Sequence, residues 1–485
     1  MIVSLYTSRV VLQTLGVVDY GVYGVVGGVV AMFGFLNASM AGATSRFLTY
    51  ELGKGDDIQL HKTFCMAFYE HLIIAAILLL ICETVGLWFL NSKLDIPSER
   101  LAAANWVFQL SVLSMLITVT QVPYNASIIS HEQMDIYAYV EMFNVGLRLL
   151  IVYLLKVLLY DKLMLFATLV FLVTTGIAMF YRYYCLRNYQ ECRLKLLWDN
   201  TLMKKMLSFS GWDLYGNMSG MARTQGVNML LNMFFGPTVN AASAIATQVQ
   251  GKVSAFVSAV STAVKPQIIK YYAQGRYKEM VRLISDAIRL NYLILMFITV
   301  PLLVELPYIL HLWLGVVPEH TVVFSSLTLL FNFYGNMSYT LVTGIHATGN
   351  ILRPSLINGT LYLMVLPFTY IAFKSGFNLW WPYVFNVAAV VLGMLSNAYT
   401  LHLYVSEFSL RNFFLKDFFP CIVILAASVM ICLFLKSITP DGFLGLLTTL
   451  FFSTIILIIS GYFFLIPKSL SMAVIQKITK ICKKG

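Results

Sequence analysis

The chain predicts an all-α integral membrane protein with about fourteen transmembrane helices. Three observations carry that expectation. First, its 485 residues are 59% apolar and 11% charged, unlike an ordinary globular chain. Second, the apolar residues gather into fourteen segments. Most have the length of about 20 residues that a helix needs to cross a hydrocarbon core of about 30 Å. Lipid leaves unpaired backbone without partners, so spans are helices or closed barrels, and this length selects helices. Third, the polar gaps alternate in charge. With the amino terminus in the cytoplasm, the inner gaps, the tail and the inner helix ends hold 22 Lys and Arg, and the outer gaps and helix ends hold six. That bias predicts an even span count with both termini inside. It also assigns the net charge of +11 to lipid headgroups and orientation rather than to nucleic acid.

Taken in order, Met1–Leu15 is the first span and Tyr20–Ser39 the second, separated by a turn at Gly16. Gly21, Gly24, Gly27 and Gly28 give the second span a small-residue face for close packing. The third to sixth are Phe64–Leu90, Leu101–Val122, Ile136–Leu159 and Leu163–Tyr184. A basic gap with Arg187, Arg193, Lys195, Lys204 and Lys205 precedes Met206–Phe235 and Thr238–Val264. Ala287–Leu312, Thr321–His346, Pro354–Phe373 and Leu379–Leu401 follow. Pro301, Pro307 and Pro367 predict bends in the ninth and eleventh spans. Phe413–Leu435 and Phe443–Ile466 complete the set, and the basic tail Lys468–Gly485 reads as an interfacial helix.

The two halves are related. Thr14–Asp56 superposes without a gap on Phe234–Arg276, matching Gly16 with Gly236 and Gly55 with Gly275. The offset of 220 residues holds six spans, so both copies face the same way, as in a parallel repeat with the substrate site between the halves. The expected domains are an amino-terminal lobe over 1–185, a basic cytoplasmic linker over 186–205 and a carboxy-terminal lobe over 206–402. Two extra spans over 403–466 and a basic cytoplasmic tail over 467–485 follow. Subtracting the offset from Met206 puts the start of the first span ahead of Met1, which predicts a native start upstream.

Enzyme motifs are absent: there is no G-x-S-x-G elbow, Walker A loop, H-E-x-x-H or G-x-G-x-x-G. The seven cysteines include no C-x-x-C and read as reduced packing residues, and no metal site is expected. The informative residues are ionisable groups inside spans, which are costly in lipid and face a cavity or a partner. Arg9, Arg148, Arg223 and Lys252 are the candidate cavity cations, and Glu141, Asp213 and Glu70 the candidate coupling carboxylates for protons or Na+. Arg289 and Glu70 lie near cytoplasmic span ends, while Glu83 and Glu305 are expected to snorkel to the outer interface. Glu141, Asn144 and Arg148 share a helical face. Asp213, Asn217, Thr224 and Asn228 form a second polar stripe, Gln248 and Lys252 a third, and Asn332, Asn336, Thr343 and His346 a fourth. Stripes in both halves predict a shared water-filled cavity.

Residues 4–37 (SLYTSRVVLQTLGVVDYGVYGVVGGVVAMFGFLN) and 43–56 (ATSRFLTYELGKGD) resemble the opening of Wzx-type polysaccharide and O-antigen flippases. These belong to the multidrug/oligosaccharidyl-lipid/polysaccharide exporter superfamily. Residues 121–141 and 265–284 resemble the same family. The resemblance implies a V-shaped pair of six-helix lobes with two further helices, a MATE-like plan. It also implies translocation of undecaprenyl-pyrophosphate-linked oligosaccharide by alternating access, across the bacterial cytoplasmic membrane and without enzymatic chemistry. The implied partners are that lipid substrate, membrane lipids, and a polymerase and glycosyltransferases of the pathway, with the transporter a monomer. Only the motif around Arg9 matches the family closely, so Arg148, Arg223 and Lys252 rest on the cavity argument. Competing readings are a cation-coupled multidrug exporter of the same fold, a flippase for lipid II-type precursors, and a polymerase or ligase. The short outer loops leave the last without room for a catalytic domain.

Overall fold

A computed structural model describes residues 2–31, 34–92, 96–157, 161–439 and 442–465. Among them the chain is helical throughout, with no strand. It divides into two compact units, 1–214 and 215–485, at a boundary inside one long helix.

The first unit contains α1 (Ile2–Ala31), α2 (Gly34–Lys54), α3 (Asp57–Ile81), α4 (Leu87–Ser92), α5 (Leu101–Ser130), α6 (Met134–Val157) and α7 (Lys162–Asn188). A π-turn at Cys82–Gly86 joins α3 to α4. The boundary lies within α8 (Asn200–Phe235). The second unit continues with α9 (Pro237–Ala273), α10 (Tyr277–Val304), α11 (Leu306–Leu314), α12 (Thr321–Thr348), α13 (Leu352–Lys374) and α14 (Trp381–Tyr404). The short α15 (Leu410–Asn412) leads through a π-turn into α16 (Phe419–Lys436), and α17 (Phe443–Ser460) with a π-turn at Gly461–Leu465 closes the described chain.

Among the described residues the expected spans fall mainly on helix, and the second is longer than expected. Helix continues past Ser39 to Lys54, where Gly55 takes a positive φ of 73° and ends it. The polar run after Ser39 is helical because it is packed: Thr44, Ser45 and Arg46 are buried. Nine helical stretches are long and apolar enough to cross a membrane among the described residues. The helices α1, α2, α8, α9 and α12 are not among them. Helix α8 carries Lys204, Lys205, Asp213 and Arg223, a density of charge that is costly against lipid.

The backbone repeats the glycine register. Gly16 (φ 80°, ψ 168°) and Gly236 (φ 82°, ψ −176°) adopt one conformation, each breaking one helix and starting the next. An L side chain rarely takes that φ. Gly55 and Gly275, at φ 73° and 71°, do the same at the far ends of the paired segments.

In the first unit the basic linker is strapped down. Tyr69 donates to the Lys195 carbonyl at 2.8 Å, and Lys62 pairs with Asp199 at 2.6 Å. His131 Nε2 meets Glu191 Oε1 at 2.7 Å, with its ring stacked on Tyr189 at 4.1 Å. On another face Arg100 bridges Asp19 of α1 and Asp161, the N-cap of α7. In the second unit Arg289 binds Asp417 at 2.7 Å, so it serves an internal pair. Glu305 does not snorkel: it is 2% exposed, accepts from Lys436 at 3.0 Å and from Thr449 at 2.9 Å. The helix breaks at Glu305 between α10 and α11, with Pro307 in the first turn of α11, and α16 and α17 supply the partners. Pro301 and Pro367 lie inside α10 and α13, and Pro123 inside α5. Cys65, Cys82, Cys185, Cys192, Cys421 and Cys432 are free and buried, as expected of packing residues. Cys482 and the tail from 466 onward lie outside the described residues.

Candidate functional site

Of the polar stripe on α6, Arg148 lines a cleft in the first unit, while Glu141 and Asn144 do not. Arg148 lines it with Tyr20, Tyr23, Gly24, Phe166 and Val170, from α1 and α7. Its empty space, counted to the mouth, is about 810 Å³. Tyr23 packs edge-on against Phe166 with centroids 4.8 Å apart. The Arg148 Nε donates to Asn144 Oδ1 at 3.2 Å, one turn back on its own helix. Among the described residues no carboxylate pairs with Arg148, and none lines the cleft. Glu141 shares the helix face but is exposed and forms no ion pair with it. Placing an unpaired guanidinium in a span costs about 3 kcal/mol on insertion scales, so such a group marks a wet cavity or a ligand.

The second unit builds a different pocket around Arg223 of α8. Its guanidinium sits between the rings of Phe331 (α12) and Tyr362 (α13), each centroid 4.6 Å away. Its Nη1 donates to Asn386 Oδ1 of α14 at 3.0 Å. Its Nε is buried and bonds to nothing among the described residues. Each cation–π contact contributes about 0.5–2 kcal/mol and holds the group in place without neutralising it. Thr224, Asn228, Thr247, Gln250 and Tyr383 line the pocket with it, around about 440 Å³ of space counted to the mouth. The lining holds no carboxylate.

The remaining sequence candidates scatter. Lys252 on α9 is exposed and has no ion-pair or hydrogen-bond partner among the described residues. Arg9 lies on α1, with its side chain outside the described residues. Glu70 on α3 is 1% exposed; it accepts from Ser210 of α8 at 3.0 Å, and its second oxygen is buried without a partner among the described residues. Asp213, on the same stretch of α8, lies near Gly42 of α2: a Cβ on that glycine would stand 3.5 Å from Asp213 Oδ2. The α12 stripe is consumed by packing. Asn332 accepts from Ser254 and donates to the Gln250 carbonyl, and Asn336 and Thr343 bond their own helix. No cluster of metal-ligating side chains exists among the described residues.

Sequence reasoning missed the aromatic clamp and the Asn386 partner of Arg223, and the tyrosines beside Arg148. Aromatic residues are so common here, at 14% of the chain, that none stands out by type. A signal for Asn386 did exist: it is an amide inside a span, set among apolar neighbours.

No protein-family model matches the sequence, and no curated protein matches it. Solved structures do share its fold. A MATE transporter in the bent conformation superposes with a TM-score of 0.71 at 14% identity, over 83% of this chain and 92% of that one. The outward-facing form of a multidrug resistance MATE transporter of the MOP superfamily gives 0.68 at 14% identity, over 83% and 92%. A MOP superfamily transporter from Pyrococcus furiosus, described by the reverse polarity of its binding pocket, gives 0.68 at 14% identity, over 83% and 93%. The chain therefore has the all-α, MATE-like membrane fold that its sequence predicts.

Proposed function

We propose that the protein is a transporter that moves an undecaprenyl-pyrophosphate-linked oligosaccharide between membrane leaflets by alternating access. The observation that carries the reading is the cleft of Arg148. It offers a cation free of any carboxylate, beside Tyr20 and Tyr23. The guanidinium complements a phosphate, which cannot enter a bilayer without counter-charge. Tyrosine rings give sugars flat apolar faces and hydroxyl partners. Arg9 and Lys252 join Arg148 as further substrate cations, and Arg223 contributes positive charge from its own pocket. Glu70 is the foremost coupling group, ahead of Glu141 and Asp213, because one of its oxygens is buried and unbonded. The protein acts as a monomer in the bacterial cytoplasmic membrane with both termini in the cytoplasm, beside the polymerase and glycosyltransferases that use its product.

Export of cationic drugs is the rival reading for this fold. Such cargo calls for acidic lining, and both cavities are lined by arginine without acid.

Reconstituted protein tests the reading. Proteoliposomes carrying a fluorescent polyprenyl-pyrophosphate-linked glycan should show protein-dependent transfer of the label between leaflets. An analogue with a neutral linkage should move far more slowly. Equal transfer of both lipids, or uptake of a cationic dye in place of either, would overturn it.

A further inference from the structure

The pocket around Arg223 has an unbalanced account of charge and of hydrogen bonds. One guanidinium is fixed between Phe331 and Tyr362, and no carboxylate lines the space. The acceptor oxygens of the two lining asparagines are taken. Asn386 Oδ1 accepts from Arg223 at 3.0 Å, and Asn228 Oδ1 accepts from Ser243 at 2.7 Å. Ser243 in turn accepts from Tyr383 at 2.8 Å. The hydroxyl protons of Thr224 and Thr247 go to carbonyls of their own helices. Among the described residues the buried Nε of Arg223 has no partner, and the amide NH2 groups of Asn228, Asn386 and Gln250 line the same space as further donors, with the Gln250 side-chain oxygen beside them as an acceptor. Donors left over around a fixed positive charge form an anion site.

We propose that this pocket binds a small monovalent inorganic anion of the halide class. The charge count selects the valence. A single cation balances a single negative charge, whereas a pyrophosphate would bring excess charge into a site with no second cation in its lining. The fixed guanidinium repels metal ions. The two rings, each with its centroid 4.6 Å from the guanidinium, crowd its surroundings and favour a small anion over a bulky one. An anion held there neutralises Arg223 inside the helical packing of the second unit. The site belongs to the second unit and does not require the substrate assigned to the cleft of Arg148.

The test uses the full chain in detergent, with sodium chloride against sodium gluconate at matched ionic strength. Chloride should raise the thermal midpoint along a saturable curve, as a ligand of the folded state does. Arg223→Gln should weaken the apparent chloride affinity by at least about tenfold. If Arg223→Gln fails to fold, Asn386→Asp decides. It sets a carboxylate where the Asn386 oxygen already meets Arg223, so it should abolish the chloride response and raise the midpoint in gluconate. Arg148→Ala should keep the chloride response while losing lipid transport, which separates failure of this site from failure of the transport reading. A chloride response unchanged in Arg223→Gln and Asn386→Asp overturns the proposal. So does inorganic phosphate acting at lower concentration than chloride, which would mark a phosphoryl site.

Discussion

The hydroxyl of Ser210 donates to Oε1 of Glu70 at 3.0 Å, while Oε2 of the same carboxyl group is buried and bonds to nothing among the described residues. This contact joins α3 to the first half of α8, within one compact unit. A carboxyl group with one anchored and one unused oxygen holds its position and keeps a place for a proton or a small cation. Buried polar atoms left unpaired are rare in folded proteins, and one on an ionisable group inside a span marks a functional candidate.

Glu70→Gln keeps the shape and the Ser210 contact but removes the exchangeable charge. We expect it to express and fold, to lose at least about tenfold in gradient-driven transport, and to keep exchange that needs no gradient. The measurement is label transfer in proteoliposomes with and without an imposed pH or Na+ gradient. Gradient-driven transport at the wild-type rate would remove Glu70 from coupling.

The Glu305–Lys436 pair predicts a stability effect with no transport component. Glu305 is buried where α10 breaks, and its oxygens are both used, by Lys436 and by Thr449. Lys436→Met leaves a buried carboxylate uncompensated. The expected loss is about 3 kcal/mol, the low end for broken buried pairs, because Lys436 keeps partial exposure. Glu305→Gln combined with Lys436→Met should recover part of that loss. Thermal unfolding of the purified variants measures it; a double variant less stable than Lys436→Met alone would contradict this account.

Acid should loosen the linker strap. The Lys62 ammonium, then the backbone amides of Leu202 and Thr201, hold the Asp199 carboxyl down at about 2. A carboxyl group lowered in the folded state stabilises it above the ordinary aspartate value of about 3.9. That contribution disappears as pH falls through the folded value. The window therefore runs from about pH 4 down to about pH 2. The difference in thermal midpoint between wild type and Asp199→Asn should be constant above pH 5 and shrink below about pH 4. A difference that does not change across that window would show that Asp199 adds nothing through its charge.

The fold was legible because lipid imposes length and composition on every span, and because two pairs of glycines repeat at one offset. Gly16 and Gly236 share a left-handed turn that few other residues adopt, so their backbone role could be read from type and spacing. The end of the second helix was not legible. Arg46, Thr49 and Glu51 read as a polar gap, yet they are buried on α2. Composition alone does not separate a polar gap from a helix that turns polar residues inward. The candidate site was legible at Arg148 and Arg223, whose charges are costly in a span whatever surrounds them. What surrounds them was not, because Asn386, Phe331 and Tyr362 come from three other helices and meet Arg223 only through tertiary packing. Glu305 failed for a related reason: its counter-ion lies 131 residues away.

Arg148 gives the sharpest test of the transport reading, because the structure removes its simplest structural explanation. Glu141 lies two turns away on the same face, yet the two form no ion pair, and among the described residues Arg148 bonds only to Asn144. Arg148→Ala should therefore leave expression and thermal midpoint within about 0.5 kcal/mol of wild type, as exposed substitutions do. Transport should fall by at least about a hundredfold, since losing a charge-assisted contact to phosphate costs about 3 kcal/mol. Arg148→Lys should retain part of the activity, because lysine keeps the charge but not the two-pronged geometry that suits phosphate oxygens. Arg148→Glu should be inactive. The double change Arg148→Ala with Glu141→Ala separates the two roles by label transfer. If Arg148 only balanced Glu141, removing both would restore transport. We expect no recovery, and recovery in that variant would withdraw Arg148 as a ligand of the substrate.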